Sequence, residues 1–112
     1  EARQSEFNQL AKTIATYSKG SAVIVAGDTN LKLEVEQDRQ IFQAFLTQTG
    51  LIDTCHALDC ATESIDRILY RSSTALTLTP SAWRIATEFV DQDGQSLSDH
   101  PAIAVDFQWN LQ

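Results

Sequence analysis

Three short polar stretches of the sequence each adjoin or interrupt an apolar run: residues 27–30, residues 65–68 and residues 98–100. Together they supply carboxylates, a carboxamide and an imidazole. These groups orient water, move protons and bind hard cations. In α/β proteins, ligands bind preferentially just beyond the ends of strands. The three stretches are therefore the candidates for a reactive site.

The first stretch, Gly27-Asp28-Thr29-Asn30, follows the β-branched run 21–26. Gly27 allows a tight exit from a strand. Asp28 and Asn30 lie two positions apart, so their side chains can point toward the same space beyond the sheet. The alternative is a plain turn, because Asp, Asn and Gly are the residues that turns prefer.

The second stretch places Asp66 inside the apolar segment Ile65–Ile68. A carboxylate in an apolar strand is costly unless it is paired. Arg67 points to the opposite face of a strand and is a poor partner, so the partner of Asp66 must come from elsewhere in the fold. The alternative is that Asp66 lies at an exposed edge.

The third stretch, Ser98-Asp99-His100, comes directly before an alternating apolar run. It offers a metal ligand and a general acid–base in one loop. A hydrogen bond from His100 to Asp66 would satisfy the buried carboxylate and fix the imidazole tautomer. The alternative is an exposed loop with an ordinary histidine.

The elements that must position these stretches are two early helices followed by several strands. Amphipathic spacing predicts helices over 1–18 and 36–48, with Gly20 and Gly50 just past their ends. We expect the strand at 21–26 to be buried on both faces. Further strands are predicted over the segments 51–54, 65–71, 76–79, 83–89 and 102–109, with a turn at 91–94. This order is typical of a mixed α/β unit whose later half is largely antiparallel.

In this order, Gly-Asp-x-Asn, Ile-Asp-Arg-Ile and Ser-Asp-His resemble the endonuclease/exonuclease/phosphatase superfamily, whose members are DNase I-like, metal-dependent phosphoesterases. The resemblance spans 21–109, and the helix at 1–18 matches the one that precedes the first motif. It implies that residues 1–112 form the C-terminal half of a four-layer α/β sandwich, an α+β fold with a mixed, mostly antiparallel sheet flanked by helices. The family's upstream half carries an Asn, a metal-binding Glu and a His whose motifs this sequence does not contain, so we expect the isolated half to be inactive.

The resemblance also implies a mechanism, the hydrolysis of a phosphodiester by in-line attack of water with Mg²⁺ or Mn²⁺ bound. Asp28 would orient or deprotonate the water, and Asn30 would hold Asp28 and a phosphate oxygen. His100 would contact the phosphate, with Asp66 orienting it. Asp99, together with Asp28 and Asn30, would contribute to metal binding. The substrate stays open between a nucleic acid, a phospholipid and a small phosphodiester.

The composition narrows the function classes. The 112 residues carry a net charge of −7, which argues against a passive nucleic-acid binder but not against a metal-dependent hydrolase. No apolar run approaches the roughly 20 residues of a transmembrane helix, so we expect no transmembrane segment. The competing class is a non-catalytic binding fragment of the same fold.

Cys55 and Cys60 could form a disulfide or remain two free, partly buried thiols. A disulfide would indicate an extracytoplasmic location, since disulfides persist in oxidising compartments. A redox-active pair is disfavoured because the spacing is not C-x-x-C.

One expectation concerns packing. In the resembled fold, two sheets cover each other's apolar faces. We expect a face bearing residues such as Val23, Val25, Ile103 or Val105 to need cover from the missing N-terminal half or from a second copy of the chain.

Overall fold

The computed structural model of the chain describes residues 2–60, 65–97 and 102–112. Strands β1, β3 and β2 form an antiparallel three-stranded sheet in that order, and β4 pairs with β5 in a separate antiparallel ribbon. Helices and antiparallel strands together make the α+β class that the sequence predicted. The elements in chain order are α1 (Ala2–Tyr17), β1 (Val23–Asp28), α2 (Glu36–Thr49), β2 (Ile52–Asp53), α3 (Thr54–Ala57), β3 (Asp66–Arg71), β4 (Leu76–Ala86) and β5 (Ala102–Leu111).

Helices α1 and α2 pack on one face of the three-stranded sheet because each carries an apolar stripe at helical spacing. Phe7 of α1 meets Phe45 of α2 edge to face, with ring centroids 5.1 Å apart. Gly50 ends α2 with a φ of 75°, the left-handed conformation expected of a C-terminal glycine. Among the described residues, no helix is long and apolar enough to span a bilayer. The buried cluster consists of Ala11, Ile14, Leu31, Ile41, Phe42, Phe45, Leu51 and Leu69.

Strand β1 corrects the expectation that 21–26 is buried on both faces. Val23 and Val25 pack against the helical cluster, whereas Ile24 between them is 51% exposed. The physical reason is that β1 is an edge strand that the helices cover on one face only. Register places Ile24 and Ile52 on either side of Tyr70, so these three form an apolar row on the face away from the helices, where only Tyr70 among them has a ring contact, with Phe107 of β5. That row, rather than Val23 and Val25, is the part of this sheet that needs cover.

Strand β4 is a second correction, because the two short strands predicted at 76–79 and 83–89 are one continuous strand ending at Ala86. Pro80 cannot donate to a ladder, and the register shifts between Pro80 and Ala82. A bulge there absorbs the proline without ending the pairing.

The β4–β5 ribbon has one apolar face and one mainly polar face. Residues directly opposite each other share a face, and the apolar pairs alternate with pairs that contain the polar residues. Phe107 contacts Tyr70 of β3, with ring centroids 5.6 Å apart, and so joins the ribbon to the three-stranded sheet. The pairs on the apolar face are Leu76–Leu111, Leu78–Trp109, Pro80–Phe107, Trp83–Val105 and Ile85–Ile103.

A short helix, α3, connects β2 to the cysteine loop. Asp53 caps it, because its carboxylate accepts a hydrogen bond from the backbone N–H of Cys55 at 3.1 Å. Cys55 and Cys60 form a disulfide with their Cα atoms 4.9 Å apart. The sequence left this pairing open, and the structure has the bridged form.

Candidate functional site

Three of the five residues predicted for the site, Asp28, Asn30 and Asp66, lie where β1 ends and β3 begins. These strands are antiparallel, and Asp28 at the end of β1 is the direct register partner of Asp66 at the start of β3. Directly opposite residues have Cα atoms roughly 4.5–5.5 Å apart and side chains on the same face. Asp28 is exposed and Asp66 half-buried. Two carboxylates separated by 38 positions in sequence are thus neighbours at one corner of the sheet.

The segment after Asp28 is fixed by hydrogen bonds to its own side chains and to β3. The backbone N–H of Thr29 and its hydroxyl both donate to the carbonyl of Ile65, at 2.8 and 2.7 Å. The backbone N–H of Asn30 donates to Oδ1 of Asp28 at 2.8 Å. Leu31 then enters the core and is 1% exposed. The loop is thereby anchored to Ile65, directly before β3, on one side of Asn30 and to the core on the other.

Asn30 has a φ of 55°, in the left-handed region that Asn tolerates better than most residues. Its backbone N–H donates to the carboxylate of Asp28, and the role predicted for Asn30 in holding Asp28 and a phosphate oxygen stays a prediction. This hydrogen bond orients the carboxylate of Asp28 toward the loop.

A cleft of about 200 Å³ opens between this loop and the first turns of α1. Asp28 and Asn30 both line it. The full lining is Arg3, Glu6, Phe7, Leu10, Asp28, Thr29 and Asn30.

Arg67 is correctly excluded as the partner of Asp66. It points to the helix-covered face, where Nη1 lies 3.0 Å from Oδ2 of Asp53 and both side chains are buried. Its guanidinium also lies over the ring of Phe42, 5.6 Å from the centroid. Burial raises the pKa of Asp53 above its usual range, against the opposing attraction of Arg67. This ion pair lies on the sheet face opposite to Asp66.

Asp99 and His100 lie outside the described residues, as does the whole stretch 98–101. The hydrogen bond between Asp66 and His100 therefore stays a prediction. Among residues 2–60, 65–97 and 102–112, no group of three or more His, Cys, Asp or Glu side chains is arranged to hold a metal ion.

A cluster that was not predicted from the sequence lies beside the site. Nη1 of Arg3 donates to the carbonyl of Asn30 at 2.8 Å and lies 3.3 Å from Oδ2 of Asp38. The same Asp38 oxygen accepts the backbone N–H of Lys32 at 3.0 Å. No local signal marks these residues, since Arg3 and Asp38 look like ordinary members of two polar helix faces. Only the packing of α1 on α2 brings them together.

Comparison with known proteins gives two kinds of match. The chain is 31% identical over 119 aligned residues to sphingomyelinases of Mycobacterium tuberculosis and Mycobacterium bovis, and the match covers 90% of the chain. It spans about a quarter, 24%, of the length of these relatives. No protein-family model matches the chain.

Among solved structures, the fold matches a humanized zebrafish (D. rerio) TDP2 carrying 14 mutations. The TM-score is 0.65 at 26% identity, and the match covers 95% of this chain and 44% of that one. The chain therefore has an α+β fold of the DNase I-like type. Its site at the β1–β3 corner is built from acidic and carboxamide side chains.

Proposed function

We propose that the chain is part of a metal-dependent phosphodiester hydrolase of the endonuclease/exonuclease/phosphatase superfamily. The observation that carries the proposal is the register pair Asp28–Asp66, with Asn30 hydrogen-bonded to Asp28. The DNase I-like fold and the similarity to sphingomyelinases support the same chemistry.

In this proposal Asp28 is the base that orients or deprotonates the attacking water. Its carboxylate is suited to that role because Asn30 fixes one oxygen from the loop side. Asn30 lines the same cleft, and in this proposal its side-chain amide donates to a phosphate oxygen. Asp66 orients His100, which contacts the phosphate.

The donor set fits a hard divalent cation, because Asp28, Asn30 and Asp99 offer oxygen atoms. A bound Mg²⁺ or Mn²⁺ would supply positive charge to the phosphate oxygens. Thiolate ligation is not part of the proposal, since Cys55 and Cys60 are joined in a disulfide. That disulfide also supports function in an oxidising, extracytoplasmic compartment.

One contact supports the proposed hydrogen bond between His100 and Asp66. His100 precedes β5 in the sequence, and Asp66 begins β3. The Tyr70–Phe107 ring contact joins these two strands. The contact brings the strand that follows His100 against the strand that Asp66 begins, and the distance between the two side chains stays a prediction.

We propose further that residues 1–112 are the C-terminal part of one domain. Two apolar surfaces need cover: the row Ile24, Tyr70 and Ile52, and the apolar face of the ribbon, where Trp109 is 64% exposed. The occupant we assign is the remaining part of the same fold, because the chain matches only 44% of TDP2. That part would also bring the upstream metal-binding Glu that the resemblance implies.

The intact protein carrying this segment tests the proposal. Hydrolysis of sphingomyelin, bis(p-nitrophenyl) phosphate and plasmid DNA is measured with Mg²⁺, with Mn²⁺ and with EDTA. We expect turnover of at least one of these substrates that EDTA abolishes, with sphingomyelin the first to examine given the names of the relatives.

A matched pair of histidine variants makes the test specific. His100→Ala should lower kcat/KM by at least about a hundredfold, the usual size of a general acid–base contribution. His56→Ala, an exposed histidine on α3, should leave it unchanged. Normal turnover in His100→Ala would overturn the proposal, and no turnover of any phosphodiester by the intact protein would favour the non-catalytic binding fragment.

A further inference from the structure

The loop that carries Asn30 is held from outside by an arginine on α1. Arg3 lies in the first turn of that helix, 27 positions away in sequence, and its Nη1 donates to the Asn30 carbonyl at 2.8 Å. The backbone N–H of Asn30 is already engaged by Asp28. Both hydrogen-bonding groups of the Asn30 backbone are therefore occupied by side chains, one catalytic in the proposed function and one not.

Arg3 is itself held by a buried carboxylate. The side chain of Asp38 is 8% exposed, and its Oδ2 lies 3.3 Å from Nη1 of Arg3 and 3.0 Å from the backbone nitrogen of Lys32. Asp38 thus links α2 to both ends of the segment 30–32, directly through Lys32 and by way of Arg3 at Asn30. An ion pair with one nearly buried partner is screened less by solvent than one on the open surface.

This arrangement matters because Asn30 has a left-handed backbone, with a φ of 55°. Such a conformation is less favourable for a residue with a side chain and persists when its surroundings determine it. If the carbonyl of Asn30 were released, the peptide could rotate. The side chain of Asn30 and its N–H bond to Asp28 would then move together.

We propose that Arg3 and Asp38 are positioning residues for phosphodiester hydrolysis, acting by fixing the Asn30 peptide and thereby the carboxylate of Asp28. The inference rests on the proposed function, since it assigns these residues to the same site. The contacts that carry it are both made by Nη1 of Arg3, to the Asn30 carbonyl and to the Asp38 carboxylate. Arg3 also lines the cleft, so the test below is designed to separate positioning from substrate binding.

The test uses the intact protein, with sphingomyelin and bis(p-nitrophenyl) phosphate as substrates. Arg3→Met should lower kcat by about tenfold or more, because small misplacement of a catalytic group has effects of that size, while KM changes less than about twofold. Arg3→Lys keeps a donor for the Asn30 carbonyl and should recover part of the loss. Lys12→Met removes an exposed cation from the same helix and should behave like the wild type.

A second variant, Asp38→Asn, tests the same contact without changing Arg3, so that misfolding of Arg3→Met alone cannot decide the result. Asp38→Asn keeps an acceptor for the Lys32 N–H but removes the charge that holds Arg3, and it should lower kcat in the same way. The double variant Arg3→Met/Asp38→Asn should lose little more than Arg3→Met, because the two residues act through one contact. Melting temperatures are measured for all variants.

Two results would overturn the positioning role. One is a raised KM at constant kcat, which would make Arg3 a substrate-binding residue. The other is a lowered melting temperature with unchanged kcat and KM, which would make the cluster structural only. Asp28→Asn, assayed in parallel, separates this proposal from the one it rests on: if Asp28→Asn is fully active the proposed function fails, and if it is inactive while Arg3→Met is normal only the positioning role fails.

Discussion

The helix-covered sheet buries its apolar residues, whereas the β4–β5 ribbon leaves several of its own exposed. Every member of the buried cluster lies between Ala11 and Leu69, in α1, α2, the three-stranded sheet and the loops that join them. The ribbon has an equally regular apolar face, yet Trp109 and Leu111 at its far end are 64% and 74% exposed. A regular apolar pattern therefore shows which residues share a face, but what covers that face depends on the rest of the fold.

The largest expected change in the free energy of unfolding distinguishes the helix-covered sheet from the ribbon. Phe45→Ala removes a side chain that is 2% exposed and packed on Phe7, and it should lower the free energy of unfolding by about 3–5 kcal/mol. In the 112-residue chain, where Trp109 is 64% exposed, Trp109→Thr in the ribbon should cost less than about 1 kcal/mol, as exposed substitutions do. Urea unfolding of both variants measures the contrast, and equal losses would show that the ribbon is as tightly packed as the core.

A smaller effect is expected where the helices meet the sheet. Arg71 donates to the carbonyls of Ser21, Thr49 and Ser18, at 3.2, 2.8 and 2.6 Å, and so ties β3 to the ends of both helices. Arg71→Met should lower the free energy of unfolding by about 2–3 kcal/mol, since three charge-assisted hydrogen bonds are lost at a half-buried position. Arg71→Lys should fall between that variant and the wild type. If Arg71→Met unfolds at the same urea concentration as the wild type, the three hydrogen bonds of Arg71 do not contribute to stability.

The Cys55–Cys60 disulfide restrains the chain locally, in the segment between β2 and β3. Reduction of Cys55–Cys60, or the double change of both cysteines to alanine, should cost about 2 kcal/mol, the chain-entropy value for so short a loop. Unfolding with and without a reductant measures it. Thiol titration of the denatured, unreduced protein should find neither cysteine free, and two free thiols would contradict the bridge.

The smallest effect is a pH dependence in the ribbon. Arg84 donates to both carboxylate oxygens of Glu88, which holds the pKa of Glu88 at about 2, below its ordinary value of 4.5. Because the folded-state pKa is lowered, this stabilisation is present above the ordinary value and is lost as the pH falls toward about 2. Both side chains are 53% exposed, so the effect is weak and screened by salt.

The control is Glu88→Gln. The small difference in melting temperature between this variant and the wild type should shrink on acidification and in high salt. A difference that is independent of pH would assign the role of Glu88 to packing instead of charge.

The helices, most strands and the two acidic positions at the β1–β3 corner could be predicted from local patterns. Periodicity identified α1 and α2, and turn chemistry identified the left-handed Gly50. Sequence position alone could not show that Ile24 faces away from the helices, because burial on one face or both depends on strand order. The bulge at Pro80 could not be predicted either, because a proline usually ends a strand, whereas here the pairing continues past it.

Of the candidate site, the sequence predicted Asp28, Asn30 and Asp66 but not how they are held. The pairing of Asp28 with Asp66 depends on register, and the contact of Arg3 with Asn30 depends on helix packing. Both are long-range consequences of the fold that no short motif encodes. Asp99 and His100 stay predictions.

The central proposal is that Asp28 and Asp66, paired in register, belong to one site of phosphodiester hydrolysis. The most direct measurement is kcat/KM of the intact protein for Asp28→Asn, Asp66→Asn and the double variant, with Asp106→Asn in the exposed part of β5 as the control. The proposal predicts that each single change at the site lowers kcat/KM by about a hundredfold or more, and that the double variant falls little further, because residues acting as a unit are not additive. Near-normal turnover in Asp66→Asn, with the fold intact, would contradict it.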